Sequence, residues 1–142
     1  MNMDNNFDYH TLKGYQLIDN KLITASMEDY LEMICRTLKT QEYVRINFLA
    51  EKLNVRPSSA SKMVNNLKCL GLVTFEKYGY IKPTEKGLSI GEYLLYRHDV
   101  LNELLCLINN TESELEQVEK IEHFLDSRTI TNIKKITDKL KS

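Results

Sequence analysis

The sequence contains no tryptophan, only two prolines and five glycines, and no long apolar run. No stretch approaches the roughly 18 consecutive apolar residues that a membrane-spanning helix requires. The amino terminus, which carries Asp4 and Asp8, lacks the basic and then apolar layout of a secretory signal peptide. These absences argue against a membrane protein and against a secreted one. We therefore expect a cytoplasmic protein with no membrane partner.

The cysteines do not indicate a structure held together by disulfides or by zinc. Cys35, Cys69 and Cys106 are odd in number, widely spaced and form no CxxC pair. This pattern predicts neither a disulfide framework nor a cysteine zinc site. We interpret the three residues as reduced and mostly buried, behaving as small apolar side chains.

The charges nearly balance, with a net charge of −1 over 142 residues, but their distribution is uneven. One region is basic and a later region is acidic, which fits a surface that meets phosphates and a region that meets a cation. Two solvated faces of opposite sign would also explain the bias. The basic region carries Arg45, Lys52, Arg56, Lys62, Lys68, Lys77 and Lys82 against Glu51 and Glu76; the acidic region carries Asp99, Glu103, Glu112, Glu114, Glu116, Glu119, Glu122 and Asp126 against Lys120.

The first half of the chain shows the pattern of a winged helix-turn-helix. Residues 1–22 are polar and lack a sustained period, which indicates a mobile tail. A helix can begin at Thr24 to Ser26, since apolar residues then recur at helical spacing. Helices at Asn47–Leu53 and from Pro57 to about Leu70 precede a hairpin. The hairpin strands are Leu72 to Glu76 and Tyr80 to Lys82, around a Lys77, Tyr78, Gly79 turn.

The helix that begins at Pro57 has the composition of a recognition helix. Ala60, Met63, Val64 and Leu67 fit a core, so the outward face carries hydroxyls, amides and lysines and no acid. Such a face can hydrogen-bond to phosphates and base edges of double-stranded DNA. The candidate DNA-binding residues are Ser58, Ser59, Ser61, Lys62 and Asn65, with Arg56 and Lys77 on the backbone.

The second half is predicted to be all helical. A long helix from Thr84 has more apolar surface than one helix can hide, so part of it should pack against a second copy of the chain. An acidic helix from Glu112 to Leu125 and an amphipathic helix from Ser127 to Leu140 follow. The fold class is thus mainly α, with a winged helix-turn-helix at 23–84 and a helical metal-binding and dimerisation domain at 85–142.

Candidate metal ligands fall in three places along the chain. Glu119, Glu122 and His123 would share one face if their segment is helical, because residues three and four apart are neighbours on a helix. Oxygen donors mixed with imidazole suit Mn(II) or Fe(II) at six-coordinate geometry. The full set is Asp29 and Glu32 on the first helix, His98 in the long helix, and Glu119, Glu122 and His123 on the acidic helix.

Each group has a simpler interpretation when taken alone. His98 could be a helix-surface or interface histidine, and Asp29 and Glu32 could be carboxylates that favour the positive end of a helix dipole. The acidic helix could merely be solvated. The chain contains no Gly-rich phosphate loop and no nucleophile motif, so we expect a protein that is not an enzyme.

Ordered motifs from about Thr24 to the carboxyl end resemble the diphtheria toxin repressor family, and most closely its manganese transport regulator branch. In the iron-responsive branch, methionine and cysteine stand where this chain has Asp29 and Glu119, so the resemblance favours manganese. The motifs are SMEDYLEMI (Ser26 to Ile34), RPSSASKMVNNL (Arg56 to Leu67), FEKY (Phe75 to Tyr78), TEKG (Thr84 to Gly87), YRH (Tyr96 to His98) and EKIEH (Glu119 to His123).

The resemblance implies a homodimeric, Mn(II)-activated repressor of metal-uptake genes that binds a double-stranded DNA operator. It also implies that the candidate ligands hold a cluster of two Mn(II) ions per subunit, with Fe(II) as the alternative ion. Because the ligands fall in both halves of the chain, we expect the metal to clamp the winged helix to the dimerisation domain. The alternatives are an iron-responsive or a metal-insensitive winged-helix dimer, and a di-metal hydrolase that uses the same ligands.

Overall fold

The computed structural model describes residues 23–142, and the predicted tail at 1–22 lies outside the described residues. The chain forms two compact units, the first ending at Tyr93 and the second running from Leu94 to Ser142. This division falls inside a helix, and the functional boundary expected after residue 84 remains a prediction. Within residues 23–142, no helix is long and apolar enough to cross a membrane.

The described elements are mainly helical, with a single pair of short strands in the part of the chain that the structure describes. In chain order they are α1 (Ala25–Thr37), α2 (Ile46–Leu53), α3 (Pro57–Cys69), β1 (Val73–Phe75), a 3₁₀ turn (Lys77–Gly79), β2 (Ile81–Pro83), α4 (Glu85–Asn109), α5 (Leu115–Ile121), a second 3₁₀ turn (Glu122–Phe124) and α6 (Ser127–Lys141).

Helix α1 begins where its capping residue predicts. The Thr24 hydroxyl accepts a hydrogen bond from the Met27 amide at 3.2 Å, which satisfies one of the amides that a helix start leaves without an intrahelical partner. The predicted apolar stripe faces the core of the first unit. Its buried members are Tyr30, Leu31, Ile34 and Cys35.

Helix α4 packs closely against α1 within the first unit. A Cβ atom at Gly91 would overlap the Cys35 side chain, and one at Gly87 would overlap the Leu72 carbonyl group. The two glycines therefore allow α4 to approach its neighbours closely.

Helices α2 and α3 are joined by a tight turn. Asn54 adopts the left-handed conformation with φ 56° and ψ 48°, and its amide donates to the Ala50 carbonyl. Pro57 then occupies the first turn of α3, where its missing N–H costs nothing. Ala60, Val64 and Leu67 bury one face of α3, so the opposite face is left to solvent.

The two strands form the wing. They pair antiparallel, with Val73 opposite Pro83 and Phe75 opposite Ile81. Pro83 thus closes the strand pair as its last member. The Ile81 amide donates to the Val44 carbonyl at 2.8 Å, which ties the wing to the segment before α2.

The second unit has its own small apolar core. Val100 and Leu101 of α4, Val118 of α5 and Ile130 of α6 are buried together. Partly buried residues surround this cluster, namely Tyr96, Leu105, Leu125 and Ile133. Helices α4, α5 and α6 therefore pack around one apolar cluster. Leu125, in the segment between α5 and α6, packs against the same cluster.

The prediction of one acidic helix from Glu112 to Leu125 is wrong. Helix α5 begins only at Leu115 and ends at Ile121. The late start has a local cause: the Glu114 carboxylate accepts hydrogen bonds from Thr111, Asn109 and Gln117 at 2.8 to 3.2 Å. These bonds hold a loop after Asn110, whose φ is 54°, and they also lower the pKa of Glu114. Glu122 and His123 then fall in a 3₁₀ turn, so they do not continue the α5 face.

Candidate functional site

The outward face of α3 carries the predicted DNA-binding residues. Ser58, Ser59, Lys62 and Asn65 are exposed, and Ser61 is half-buried. Arg56 occupies the N-cap position, just before the first residue of α3, and its side chain is also exposed. Ala60, Val64 and Leu67 are buried and Met63 is half-buried, so the exposed face of this helix consists mainly of neutral polar groups and lysines, a surface suited to phosphates and base edges.

The wing places a further cation beside this surface. Lys77 lies at the wing tip, with its Nζ 5.7 Å from the Tyr78 ring centroid. Tyr78 is 73 % exposed and adopts a left-handed conformation with φ 65°. The wing tip is therefore an exposed turn that carries a positive charge and an aromatic ring.

Sequence reasoning missed Arg45 as a functional candidate. Its guanidinium lies 4.6 Å from the Tyr80 ring centroid, and that ring stacks on Tyr43 at 4.2 Å. The group lines an open pocket of about 290 Å³ at the base of the wing, together with Gln41 and Phe48. Tyr43 and Tyr80 are far apart in sequence and meet only when the wing folds back, so the sequence carried no signal for this cluster.

In the first unit, the predicted metal ligands Asp29 and Glu32 lie on α1. They are three residues apart, so they share one side of the helix. Asp29 is exposed, and Glu32 is half-buried. A Glu32 carboxylate oxygen accepts from the Arg36 guanidinium at 2.8 Å, which orients this carboxylate one turn before Arg36.

In the second unit, three of the predicted ligands come together. His98 of α4 and Glu122 of the 3₁₀ turn are 6 % and 2 % exposed. The His98 Nδ1 lies 3.1 Å from a Glu122 carboxylate oxygen. The His123 Nε2 lies 3.9 Å from the other oxygen of the same carboxylate. Glu122 therefore lies between two imidazoles.

The hydrogen bond to Glu122 fixes the form of the His98 ring. An ionised carboxylate only accepts hydrogen bonds, so in this contact the proton is assigned to His98 Nδ1. The lone pair of the neutral ring is then on Nε2, one of the two ring nitrogens through which a neutral imidazole can bind a metal ion. Metal-binding histidines are commonly oriented by a carboxylate in this way.

Glu119 is the ligand candidate that this arrangement does not include. It lies on α5 with an exposed side chain, and it takes no part in the contacts that join His98, Glu122 and His123. The reason is local, because the helix ends at Ile121 and the following 3₁₀ turn breaks the spacing that placed the three residues on one face. The assignment of Glu119 as a ligand remains a prediction.

The chemistry of the second unit's donors fits a hard or borderline divalent ion. Imidazole nitrogen and carboxylate oxygen suit Mn(II) and Fe(II), whereas soft ions prefer thiolate. The described cysteines lie elsewhere: Cys69 is exposed at the end of α3, and Cys106 contacts Asn102. Burial raises the pKa of the Cys35 thiol to about 12, so it stays protonated and unsuited to metal binding.

Comparison with known proteins agrees with both units. The family profile described as iron dependent repressor, N-terminal DNA binding domain, matches residues 22–81. Two proteins described as HTH-type transcriptional regulator MntR, from Oceanobacillus iheyensis and Geobacillus thermodenitrificans, are each 42 % identical over 111 residues. These alignments cover 78 % of this chain and 76 % and 79 % of the two relatives.

The chain is also similar in structure to a solved metal-dependent regulator. The manganese regulator SloR superposes with a TM-score of 0.70 at 25 % identity, over 79 % of this chain and 53 % of SloR. The chain thus spans about half the length of SloR.

A winged helix with a polar recognition helix, followed by a helical unit with buried imidazole and carboxylate donors, defines a metal-dependent transcriptional regulator. The predicted fold class is confirmed. The chain belongs to the diphtheria toxin repressor family, in its manganese transport regulator branch, together with the MntR proteins. Members of this family are transcriptional regulators and not enzymes, so the di-metal hydrolase alternative is set aside.

Proposed function

We propose that this chain is a Mn(II)-activated repressor that binds an operator in double-stranded DNA as a homodimer and controls metal-uptake genes. The observation that carries the proposal is the buried Glu122 carboxylate between His98 and His123. A buried carboxylate is costly unless it is paired with cationic or donor groups. A site for a divalent cation accounts for the burial of Glu122 beside two imidazoles.

The residues that would hold the ion are Asp29, Glu32, His98, Glu119, Glu122 and His123. When bound, the ion supplies positive charge that offsets the repulsion among these carboxylates. Glu122 orients the His98 ring, and Arg36 orients Glu32. The donors come from both units, and the expectation that one ion cluster clamps them together, with two ions per subunit, stays a prediction.

The proposed DNA-binding side chains fall into two chemical groups. Ser58, Ser59, Ser61 and Asn65 offer neutral donors and acceptors for base edges and phosphate oxygens. Lys62, Arg56 and Lys77 offer charge to the phosphate backbone. Lys77 lies in the wing, so the backbone contacts would extend beyond the recognition helix.

Dimer formation is supported by exposed apolar side chains in the second unit. Phe124 is 86 % exposed, and Ile108, Leu115, Ile136 and Leu140 are also exposed. A dimer interface formed by these side chains would remove their apolar surface from water. Two recognition helices in a symmetric dimer would read half-sites roughly one helical turn of DNA apart.

The test combines metal binding and DNA binding by the full chain. A library of random DNA duplexes is selected with the protein in the presence of Mn(II), and the recovered sequence is used for binding titrations by fluorescence anisotropy. We expect wild-type binding to tighten at least about tenfold on addition of Mn(II), a coupling within the usual range of about 1 to 3 kcal/mol. Glu122→Gln should lose most of this metal dependence.

The matched control is Glu116→Gln, which changes an exposed acid that pairs with Lys120 on α5. It should retain the full metal dependence. Equal metal dependence in wild type and Glu122→Gln would overturn the proposed role of the site. Fe(II), added under anaerobic conditions, decides between the manganese and iron assignments: the manganese assignment expects saturating Fe(II) to support weaker DNA binding than saturating Mn(II), because geometry and not raw affinity sets selectivity.

A further inference from the structure

Arg97 is a buried cation in the second unit beside the proposed metal ligands. Its side chain is 0 % exposed, and it directly precedes His98 on α4. One guanidinium nitrogen, Nη2, lies 3.4 Å from Nδ1 of His123. Fully buried arginines are rare because the charge must be removed from water. Arg97 therefore places a buried positive charge next to the His123 ring.

The contact defines the state of the His123 ring. Guanidinium groups only donate hydrogen bonds, so Nδ1 of His123 must accept with its lone pair. The proton of the neutral ring is then on Nε2. This agrees with the second contact of the ring, because Nε2 faces the Glu122 carboxylate at 3.9 Å, where a proton is favourable. Both contacts indicate the same tautomer.

This tautomer is the opposite of the one found at His98. There the Glu122 carboxylate holds the proton on Nδ1 and leaves the lone pair on Nε2. In His123, the Nδ1 lone pair is occupied by Arg97, and Nε2 carries the proton. The two rings thus carry their lone pairs on different nitrogens, and the lone pair of His123 is the one that Arg97 contacts.

A cation can bind His123 only if the Arg97 contact breaks. If the cation takes Nδ1, it replaces the guanidinium directly. If it takes Nε2, the proton must move to Nδ1, and a protonated Nδ1 cannot accept from Arg97. The Arg97 contact is therefore lost whichever ring nitrogen of His123 binds the cation.

We propose that Arg97 competes with the metal ion for His123 and so raises the metal concentration at which the site fills. The proposal rests on the proposed metal-dependent function and adds a residue that tunes it. Arg97 is a positioning residue, which acts through His123 and without touching the metal. Its effect is to keep the site unfilled at low metal concentration.

Replacing Arg97 should strengthen metal binding. Arg97→Met keeps an unbranched side chain of similar length but removes the donor and the charge. A hydrogen bond of ordinary net strength corresponds to about three- to tenfold in affinity. We therefore expect Arg97→Met to bind Mn(II) about three- to tenfold more tightly than wild type, measured by the electron paramagnetic resonance signal of free Mn(II) in titrations of the full chain.

The matched control is Lys141→Met, which removes a cation of the same unit that pairs with Glu103 at 3.3 Å. It should bind Mn(II) as wild type does. Circular dichroism and urea unfolding establish that both variants are folded. Unchanged or weaker Mn(II) binding by folded Arg97→Met overturns the competition.

A second measurement needs no variant. Nitrogen-15 spectra of the histidine rings in the metal-free protein should show the proton on Nε2 in His123 and on Nδ1 in His98. Adding Cd(II), a diamagnetic probe, should abolish the Arg97-bound form of His123. A proton on Nδ1 of His123 in the metal-free protein overturns the proposal.

The two proposals fail in different ways. Wild-type protein that binds no Mn(II) and does not change its histidine spectra overturns the metal-dependent function and the competition together. Wild-type protein that binds Mn(II) with a His123 ring already in the Nδ1-protonated form overturns the competition alone.

Discussion

At the scale of single residues, Glu122 organises the second unit's donors. It is nearly inaccessible to solvent, and each of its carboxylate oxygens faces a different histidine. The sequence predicted that Glu122 and His123 act with His98, but it could not predict the tautomer of either ring. Tautomers depend on which groups meet in space, and Arg97 reaches His123 across 26 positions of the chain.

Lys62 is the residue through which the electrostatic part of DNA binding can be tested. It is exposed on α3. If it contacts a phosphate, Lys62→Ala should weaken binding to all sequences alike and reduce the slope of log affinity against log salt by about one unit. Anisotropy titrations at several salt concentrations measure this slope. Lys120→Ala, an exposed lysine of α5, is the control and should leave the slope unchanged. An unaltered slope in Lys62→Ala would assign this lysine to solvent.

Cys35 and Cys69 should differ in reactivity. Burial raises the pKa of Cys35 from 9.0 to about 12. A raised pKa keeps the thiol protonated, so at pH 8 its thiolate fraction is about a thousandfold lower than at the unshifted value. Cys69 is exposed. Iodoacetamide at pH 8 should therefore alkylate Cys69 in the folded protein and Cys35 only after unfolding, as read by peptide mass mapping. Equal rates in the folded protein would contradict this.

At the scale of elements, apolar spacing predicted most of the helices. Thr24, Pro57 and Gly71 correctly indicated where α1 begins, where α3 begins and where α3 ends. The acidic helix was mispredicted because the Glu114 carboxylate is committed to the loop before α5. These hydrogen bonds could not be predicted from the spacing of the acidic residues. The partners Asn109, Thr111 and Gln117 are polar residues of a kind that is common on any protein surface.

The contact between α1 and α4 gives a test at this scale. Gly91→Ala adds a methyl group that overlaps Cys35. Overpacking costs about 1 to 3 kcal/mol, and the better helix propensity of alanine offsets about 1 kcal/mol of it. We expect a net loss of about 1 kcal/mol, the middle of the resulting range of about 0 to 2 kcal/mol, in the free energy of unfolding, measured with urea.

A double-mutant cycle identifies the cause of that loss. A Cys35→Ala background removes the Sγ atom that the added methyl group would overlap and leaves the Cβ atom of residue 35 in tight contact, so the loss caused by Gly91→Ala should become smaller. The same loss in both backgrounds would show that Cys35 is not the residue that excludes a side chain at position 91.

At the scale of the whole molecule, the two units contribute differently to the proposed tasks: the proposed DNA-binding side chains lie in the first unit, whereas the proposed metal ligands are divided between the two units. The first holds the wing and the recognition helix, and the second holds its own apolar core and the histidine-flanked carboxylate. The order of tasks along the chain was predictable, because the basic and acidic regions are separated in sequence. The number of ions bound and the assembly of two copies remain predictions.

Phe124 provides a test of the assembly. It is 86 % exposed in the single chain. Burying a phenylalanine side chain contributes about 1.5 to 3 kcal/mol, and a two-fold symmetric interface contains it twice. If Phe124 lies in the dimer interface, Phe124→Ser should raise the dimer dissociation constant by about 100-fold or more, as measured by sedimentation equilibrium in metal-free buffer.

The control for this measurement is Tyr78→Ser, the exposed aromatic residue at the wing tip of the first unit. It should leave the association unchanged. A dimer of wild-type strength in Phe124→Ser would place the interface on another part of the second unit.

The anchoring of the wing has a consequence for how this protein could acquire new operators. The wing is held by backbone hydrogen bonds, through the pairing of Val73 with Pro83 and the bond from Ile81 to Val44. Backbone bonds do not depend on which side chains the tip carries. The side chain of Lys77 can therefore diverge without loss of the wing's position, whereas the left-handed backbone at Tyr78 and Gly79, with φ 65° and 76°, limits which residues fit there. Natural variation, or grafting of tips between relatives, can alter the proposed DNA contacts of the wing while the rest of the domain stays the same.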